Sequence, residues 1–163
     1  MKDGVKAYDM TKLMCVSTDW SKQGLGFLVT QKHCECSLEN APRCCEEGFK
    51  TVFAGSKKCS YAESRYLTTE GEALGIIWSL EKARMFTLGC PNLLIMMDHQ
   101  PLISILGDKS LADIPRLYRF KKKCLRYRFK IQYLHGNKNG TPDCMFRIHN
   151  RTKEDNITKF RVR

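Results

Sequence analysis

Four carboxylates stand where acidic side chains from separate parts of the chain can act together. They are Asp19, Glu72, Asp98 and Asp143. Two end or follow predicted strands and two open predicted helices. In a parallel or mixed sheet, strand carboxyl ends and the helix N-termini beside them gather at one edge. Carboxylates brought together there repel one another unless a cation is present. All-oxygen ligation is what Mg²⁺ prefers, so the pattern favours a magnesium site.

Such a site has a definite chemistry. Two divalent ions about 3.5–4 Å apart can clamp the attacking and leaving oxygens of a phosphodiester. Each carboxylate also has a structural explanation. Asp19 suits a turn and Glu72 a capping box. Asp98 suits a helix cap, and Asp143 suits the positive end of a helix dipole. The hypothesis of one site therefore depends on all four standing at the appropriate end of their elements.

The predicted strands supply the frame. Segments 13–19, 24–31 and 49–56 are rich in apolar and β-branched residues and follow one another without a helix. They predict an antiparallel meander. The wholly apolar run 93–97 is typical of a central parallel strand, and the alternating segment 129–134 predicts a final strand.

Helices are expected between and after these strands. One begins near Thr69, with Thr69 and Glu72 as a capping box, and ends at Gly89 and Pro91. A short helix is expected at 101–106, and an amphipathic one at 114–125. Its predicted apolar side contains Ile114, Leu117, Tyr118 and Leu125. A terminal helix should open at Thr141-Pro142-Asp143, which completes a mixed α/β fold.

Length and composition restrict the class of protein. The chain has 163 residues, of which 42% are hydrophobic and 28% charged, as expected for one globular domain. No window approaches 18 consecutive apolar residues, so no membrane span is expected. The first residues lack the apolar core of a signal peptide. Reduced thiols in the cytoplasm are therefore expected for the nine cysteines.

Basic residues are concentrated in the last third. Residues 109–163 hold 16 basic and 4 acidic residues, whereas residues 1–108 hold 12 and 13. This asymmetry favours a polyanionic partner, with nucleic acid ahead of a membrane surface. A solvated surface without a partner is the alternative. The candidate phosphate contacts share one helical stripe: Arg116, Arg119, Lys123 and Arg126.

A cysteine-rich loop is expected at 32–48. It contains His33, Cys34, Cys36, Cys44 and Cys45. Zinc sites usually show two to four residues between paired cysteines, which these spacings match poorly. The sequence therefore favours free thiols over a zinc site.

The chain resembles the ribonuclease H domain of gypsy-like LTR retrotransposon polyproteins over about residues 13–147. The resemblance is carried by STDWSKQGLGFLVTQ, FAGSKKCSYAESRYLTTEGEALGIIWSL, LLIMMDHQPL and YLHGNKNGTPDCMFR. In that family the catalytic carboxylates come from four motifs. These map onto Asp19, onto Glu72 rather than Glu70, onto Asp98 and onto Asp143.

The resemblance implies a ribonuclease H-like fold, a five-stranded mixed sheet with helices on both faces. It implies cleavage of the RNA strand of RNA–DNA hybrids with two Mg²⁺ ions, for which Mn²⁺ can substitute, and no small-molecule cofactor. Asp19 would bridge the ions, Glu72 and Asp98 would complete one site, and Asp143 would hold the other. Residues 1–12 would link to a preceding polymerase region and 148–163 would form a basic tail. The expected location is the cytoplasm, within a virus-like particle.

Several positions depart from the family pattern. Trp20 follows Asp19 where many relatives carry Ala, and Met97 precedes Asp98 where Thr is usual. Asn137 stands where a His is found in cellular and retroviral relatives, and His135 precedes Gly136 instead. A non-catalytic connector of the same fold is the alternative function, although no carboxylate is missing. An integrase or transposase is disfavoured because their acids run Asp, Asp, Glu, whereas these run Asp, Glu, Asp, Asp.

Overall fold

The sheet of this protein has five strands and mixed direction. The computed structural model describes residues 8–37, 45, 48–107 and 114–133. The strands are β1 (Met14–Trp20), β2 (Gly24–Lys32), β3 (Phe49–Lys58), β4 (Leu93–Met97) and β5 (Lys130–Tyr133). They lie side by side in the order β3-β2-β1-β4-β5. The pairs β1–β2 and β2–β3 are antiparallel, and β1–β4 and β4–β5 are parallel. This confirms the predicted meander followed by parallel strands.

The helices connect the strands in the order expected. They are α1 (Thr68–Lys82), α2 (Arg84–Thr87), α3 (Pro101–Leu106) and α4 (Pro115–Cys124), with a 3₁₀ turn at Glu63–Arg65. Pro101 and Pro115 open their helices, where a missing N–H costs nothing. The predicted helix from Thr141 lies outside the described residues.

The larger core lies between the sheet and helices α1, α3 and α4. It is built on side chains that are fully or almost fully buried. These include Val16, Phe27, Ile76, Leu80, Ile95, Met97, Leu102 and Leu117. A smaller cluster of Cys15, Leu94 and Met96 occupies the other face of the sheet. Strands β1 and β4 contribute to both clusters and lie inside the sheet, as the apolar run 93–97 predicts for β4.

Two predictions about helix ends were wrong. Helix α1 begins at Thr68, one residue earlier than expected, and the backbone N–H of Leu67 donates to Glu70, not to Glu72 (3.2 Å). The helix also ends at Lys82, because Ala83 leaves the helical conformation before the short α2. Gly89, at a φ of 77°, stands in the turn that follows α2. The shifted start releases Glu72 from a capping role.

The apolar side of α4 also differs from the prediction. Leu117 and Cys124 are buried and Phe120 packs against the core. Tyr118 and Leu125, which the sequence places on the apolar side, are 46% and 75% exposed. The helix is rotated relative to the prediction because a cysteine, not only the larger apolar residues, faces α1.

In the described part of the chain, no helix combines the length and apolar character that crossing a bilayer requires.

Candidate metal centre

Two strands deliver acidic side chains to one edge of the sheet. Ser17 of β1 pairs with Met96 of the parallel strand β4. Asp19 stands two residues beyond Ser17, and Asp98 stands two residues beyond Met96. Since the strands are neighbours and run the same way, the two carboxylates reach the same carboxyl edge.

Helix α1 brings Glu72 to this edge. The helix packs closely on β1 because two of its glycines face that strand. Near Gly71 lies the indole of Trp20, and near Gly75 lies Thr18. Glu72 is consequently only 6% exposed, in the first turns of the helix and directly beside the strand that carries Asp19.

Three of the four predicted carboxylates converge. Oxygens of Asp19, Glu72 and Asp98 all lie within 4.8 Å of one another. Asp143, the fourth, lies outside the described residues. Asp19 lies in β1, Glu72 in α1 and Asp98 just after β4, so three separate elements bring their acidic side chains together.

The electrostatics of this cluster are unfavourable without a cation. Burial, together with the nearby carboxylates of Asp19 and Asp98, raises the pKa of Glu72 to about 9. Oxygen Oε2 of Glu72 is buried, and the described residues offer it no hydrogen-bond partner. A divalent cation would satisfy this oxygen and remove the repulsion, and three carboxylates are the donors that Mg²⁺ prefers. The residues present therefore fit such an ion.

A contact beside the cluster was not assigned from the sequence. Thr69 Oγ1 and His99 Nε2 are hydrogen-bonded at 3.0 Å. His99 follows Asp98, and Thr69 lies in the first turn of α1. This contact joins the segments that carry Asp98 and Glu72. In the sequence, only the position of His99 directly after Asp98 in the DHQPL motif pointed to a role near the site.

Glu70 has a different role from Glu72. Both its oxygens accept from Nη1 of Arg116 at 2.8 Å. One oxygen also accepts the backbone N–H of Leu67. The guanidinium of Arg116 lies 4.3 Å from the ring centre of Tyr66. Glu70 is therefore occupied by helix capping and by an ion pair, which agrees with the choice of Glu72 for the site.

All four residues of the predicted basic stripe are exposed, and two of them have acidic partners on α1. Arg116 is bound to Glu70, and Lys123 Nζ lies 3.2 Å from Glu81. The Nε of Arg119 donates to the carbonyl of Pro115 within α4, and the residue is exposed. Arg126, just after the helix, is exposed too. Arg116 and Lys123 therefore connect α4 to α1 through ion pairs.

Comparison with known families and proteins agrees with this architecture. A family model described as "RNase H-like domain found in reverse transcriptase" matches residues 9–127. The Pol polyprotein from transposon opus of Drosophila melanogaster is 33% identical over 93 residues, 57% of this chain. The polyprotein from transposon 412 of the same fly is 28% identical over 95% of the chain. The Tf2-3 polyprotein of Schizosaccharomyces pombe is 27% identical over 96%. The chain spans only 9–12% of the length of these relatives.

Solved structures share the fold at low sequence identity. RNase H1 from Halobacterium salinarum matches with a TM-score of 0.56 at 15% identity, covering 80% of this chain and 92% of that one. LC11-RNase H1, solved with an RNA/DNA hybrid, gives 0.58 at 13% identity and covers 83% and 94%. A foamy viral protease-reverse transcriptase, also solved with an RNA/DNA hybrid, gives 0.53 at 11% identity and covers 93% and 22%.

The family match extends over most of the chain, the strand order and direction fit the ribonuclease H-like fold, and the relatives are retroelement polyproteins. The chain belongs to the family of RNase H-like domains found in reverse transcriptase.

Proposed function

We propose that this domain is an endoribonuclease that hydrolyses the RNA strand of RNA–DNA hybrids during reverse transcription of a retroelement. The observation that carries the proposal is the convergence of Asp19, Glu72 and Asp98, with a buried, unpartnered oxygen on Glu72. A structural role for the acids would leave no reason to bury an unsatisfied carboxylate oxygen, which is costly.

In this proposal the four carboxylates would hold two Mg²⁺ ions. Asp19 would contribute to both, Glu72 and Asp98 would complete one position, and Asp143 would complete the other. When bound, the ions supply the Lewis acidity that activates water and stabilises charge on the leaving 3′ oxygen. The protein's own contribution is to hold the ligands in place: β1 and β4 fix two of them, and α1 packed on Trp20 fixes the third.

The proposed substrate is supported by the charge distribution along the chain and by similar structures. Two of the similar structures were solved with an RNA/DNA hybrid. The basic last third of this chain would attract phosphates, and contacts to 2′-hydroxyl groups would distinguish the RNA strand. Because the relatives are Pol polyproteins, the proposed neighbour is a polymerase domain, and the proposed location is a cytoplasmic virus-like particle.

The test is a cleavage assay with three labelled duplexes. The chain is incubated with Mg²⁺ and an RNA–DNA hybrid, beside duplex RNA and duplex DNA. Cleavage confined to the RNA strand of the hybrid, and dependent on the divalent ion, is the expected result. Asp98→Asn should abolish that cleavage while leaving the fold intact, because it removes a charged ligand and also relieves carboxylate repulsion.

Two outcomes would contradict the proposal. If Asp98→Asn cuts as fast as the parent, Asp98 is not a ligand and the site is assigned wrongly. If the parent binds the hybrid without cutting it, the domain is the non-catalytic connector. The matched control is Glu70→Gln, because Glu70 is a neighbouring acid of α1 that is occupied by Arg116. It should retain cleavage.

A further inference from the structure

Three cysteines converge at the connection between β2 and β3. Cys34 and Cys36 follow β2, and Cys45 precedes β3. Their sulfur atoms all lie within 4.8 Å of one another. The thiol of Cys36 is hydrogen-bonded to the thiols of both Cys34 and Cys45. The spacing along the chain argued against a zinc site, but the fold brings together sulfurs from both ends of the connection.

The sheet itself determines where the two ends of this connection meet. Lys32, the last residue of β2, pairs with Phe49, the first residue of β3. The backbone N–H of His33 then donates to the carbonyl of Gly48 at 2.7 Å. Because these bonds close the base of the connection, the cysteines just beyond it are held near one another.

The thiol cluster is distinct from the carboxylate cluster. Gly26 pairs with Asp19 at one end of the β1–β2 ladder, and Lys32 lies six residues further along β2. At about 3.3 Å per residue the two clusters are separated by roughly 20 Å of strand. Ions bound at the two clusters can therefore be measured independently.

Thiolates in such a group are ligands for soft metal ions. Zinc binds thiolate at about 2.3 Å in tetrahedral geometry, which places neighbouring sulfurs about 3.8 Å apart. Sulfurs already within 4.8 Å need to move by about 1 Å at most. Cys36 and Cys45 are exposed, so an ion and a solvent ligand have access. We propose that Cys34, Cys36 and Cys45 form a zinc site, with solvent as the fourth ligand, that fastens the β2–β3 connection.

Charge and protons balance in this site. Each thiol releases one proton to solvent when it binds the metal. Three thiolates and Zn²⁺ leave a net charge of −1. The ammonium group of Lys32 donates to the carbonyl of Cys34, which places a positive charge beside the cluster. The ion would join Cys45 to Cys34 and Cys36, and so link the two arms of the connection.

Cobalt provides a spectroscopic test on the full chain. The chain is purified with reductant, stripped of metal and titrated with Co²⁺. A thiolate ligand produces a sulfur-to-cobalt charge-transfer band that carboxylate ligands do not. The expected result is this band at one equivalent per chain, with loss of the band on adding Zn²⁺ and no loss on adding Mg²⁺.

Two substitutions make the test specific. Cys36→Ser removes an exposed ligand, which should not disturb folding. It should weaken Co²⁺ and Zn²⁺ binding by more than about 100-fold, since even partners of metal ligands alter affinity 10–100-fold. The matched control is Cys59→Ser. Cys59 is half-buried, lies outside the cluster and donates to the carbonyl of Ser21, a bond that serine can make. This variant should bind as the parent does.

Two results would overturn the proposal. The first is the absence of a sulfur-to-cobalt band from the parent. The second is equal metal affinity in Cys36→Ser and the parent. Asp98→Asn separates this proposal from the proposed nuclease, because it should lose hybrid cleavage and keep the cobalt band.

Discussion

The indole of Trp20 lies against the backbone of Gly71. A Cβ at position 71 would meet the indole ring at 2.2 Å, closer than any real contact. Trp20 is 8% exposed, so its ring has little room to move. Because Glu72 follows Gly71, this contact determines how closely α1 approaches β1 next to the carboxylate cluster.

Gly71→Ala should therefore destabilise the protein and reduce cleavage. Overpacking a close contact of this kind costs about 1–3 kcal/mol, and the gain of about 1 kcal/mol in helix propensity offsets only part of it. The displaced helix also moves Glu72 away from Asp19 and Asp98. Urea unfolding measures the first effect, and hybrid cleavage per folded molecule measures the second.

Gly75→Ala is the matched control on the same helix. A Cβ there meets its nearest neighbour, Leu25, at 3.6 Å, which is an ordinary contact. The change should be neutral or stabilising by up to about 1 kcal/mol. If Gly71→Ala behaves like this control, the packing of Trp20 does not set the position of α1.

The acidic cluster should make stability depend on pH in the absence of metal. Burial, with Asp19 and Asp98 beside it, raises the pKa of Glu72 from 4.5 to about 9. Between these values the folded protein holds a proton that the unfolded chain has lost. The free energy of unfolding should consequently fall as pH rises from about 4.5 to 9. Urea midpoints measured in EDTA across this interval test the direction.

Glu72→Gln removes the titrating group and should flatten that dependence. In EDTA at pH 9 the variant should be more stable than the parent, because no charge has to be buried. Mg²⁺ should stabilise the parent most at high pH, where Glu72 must ionise to bind it, and should stabilise the variant much less. If the free energy of unfolding depends on pH in the same way in parent and variant, Glu72 is not the group whose raised pKa causes the dependence.

The order of helices and strands was predictable because apolar runs, and the glycine and proline residues between them, strongly indicate secondary structure. Leu93–Met97 is apolar at every position, and its predicted bounds match those of β4. Helix ends were less predictable, because Glu70 and Glu72 both stand near the start of α1. Only the bonds from Leu67 and Arg116 show that Glu70 is the capping residue.

The carboxylate cluster was predictable, and the thiol cluster was not. Asp19 and Asp98 each follow a recognisable strand, so the general geometry of parallel strands places them together. Cys36 and Cys45 are joined only through the register of Lys32 with Phe49. That register depends on how β2 pairs with β3, and the spacing of the cysteines along the chain gives no information about this pairing. The site role of Asp143 and the domain limits at residues 12 and 147 stay predictions.

Arg116 should contribute to stability more than its partial exposure suggests. Its side chain is 44% exposed, but its partner Glu70 is only 12% exposed and also accepts from Leu67. Arg116→Ala removes the ion-pair partner of that buried carboxylate and the contact with Tyr66. The expected loss is about 1–2 kcal/mol in urea unfolding. Arg116→Lys should recover only part of it, because lysine lacks the planar guanidinium. Full recovery by lysine would mean that charge alone matters.

All four residues of the basic stripe are exposed, but only Arg116 and Lys123 form ion pairs with acidic residues of α1. We expect the stripe to act on binding mainly through Arg119 and Arg126. Each phosphate contact releases counterions, so log affinity falls with log salt by about 0.7–0.9 per contact. Replacing Arg119 and Arg126 by Ala should reduce the salt slope for hybrid binding by about 1.5 and raise KM. The rate at saturating hybrid should change little, because uniform binding does not lower the chemical barrier.

The double variant Arg116→Ala and Lys123→Ala is the charge-matched control for that experiment. It also removes two positive charges, but each of these is paired with an acidic residue of α1, Glu70 or Glu81. Relative to the parent, this control should change the salt slope by less than the Arg119 and Arg126 double variant does. It should change the free energy of unfolding by more. Equal slopes in both variants and the parent would mean that α4 does not contact the hybrid. The net charge of +12 in residues 109–163 would then act elsewhere, and the tail after Arg147 would be the next segment to truncate.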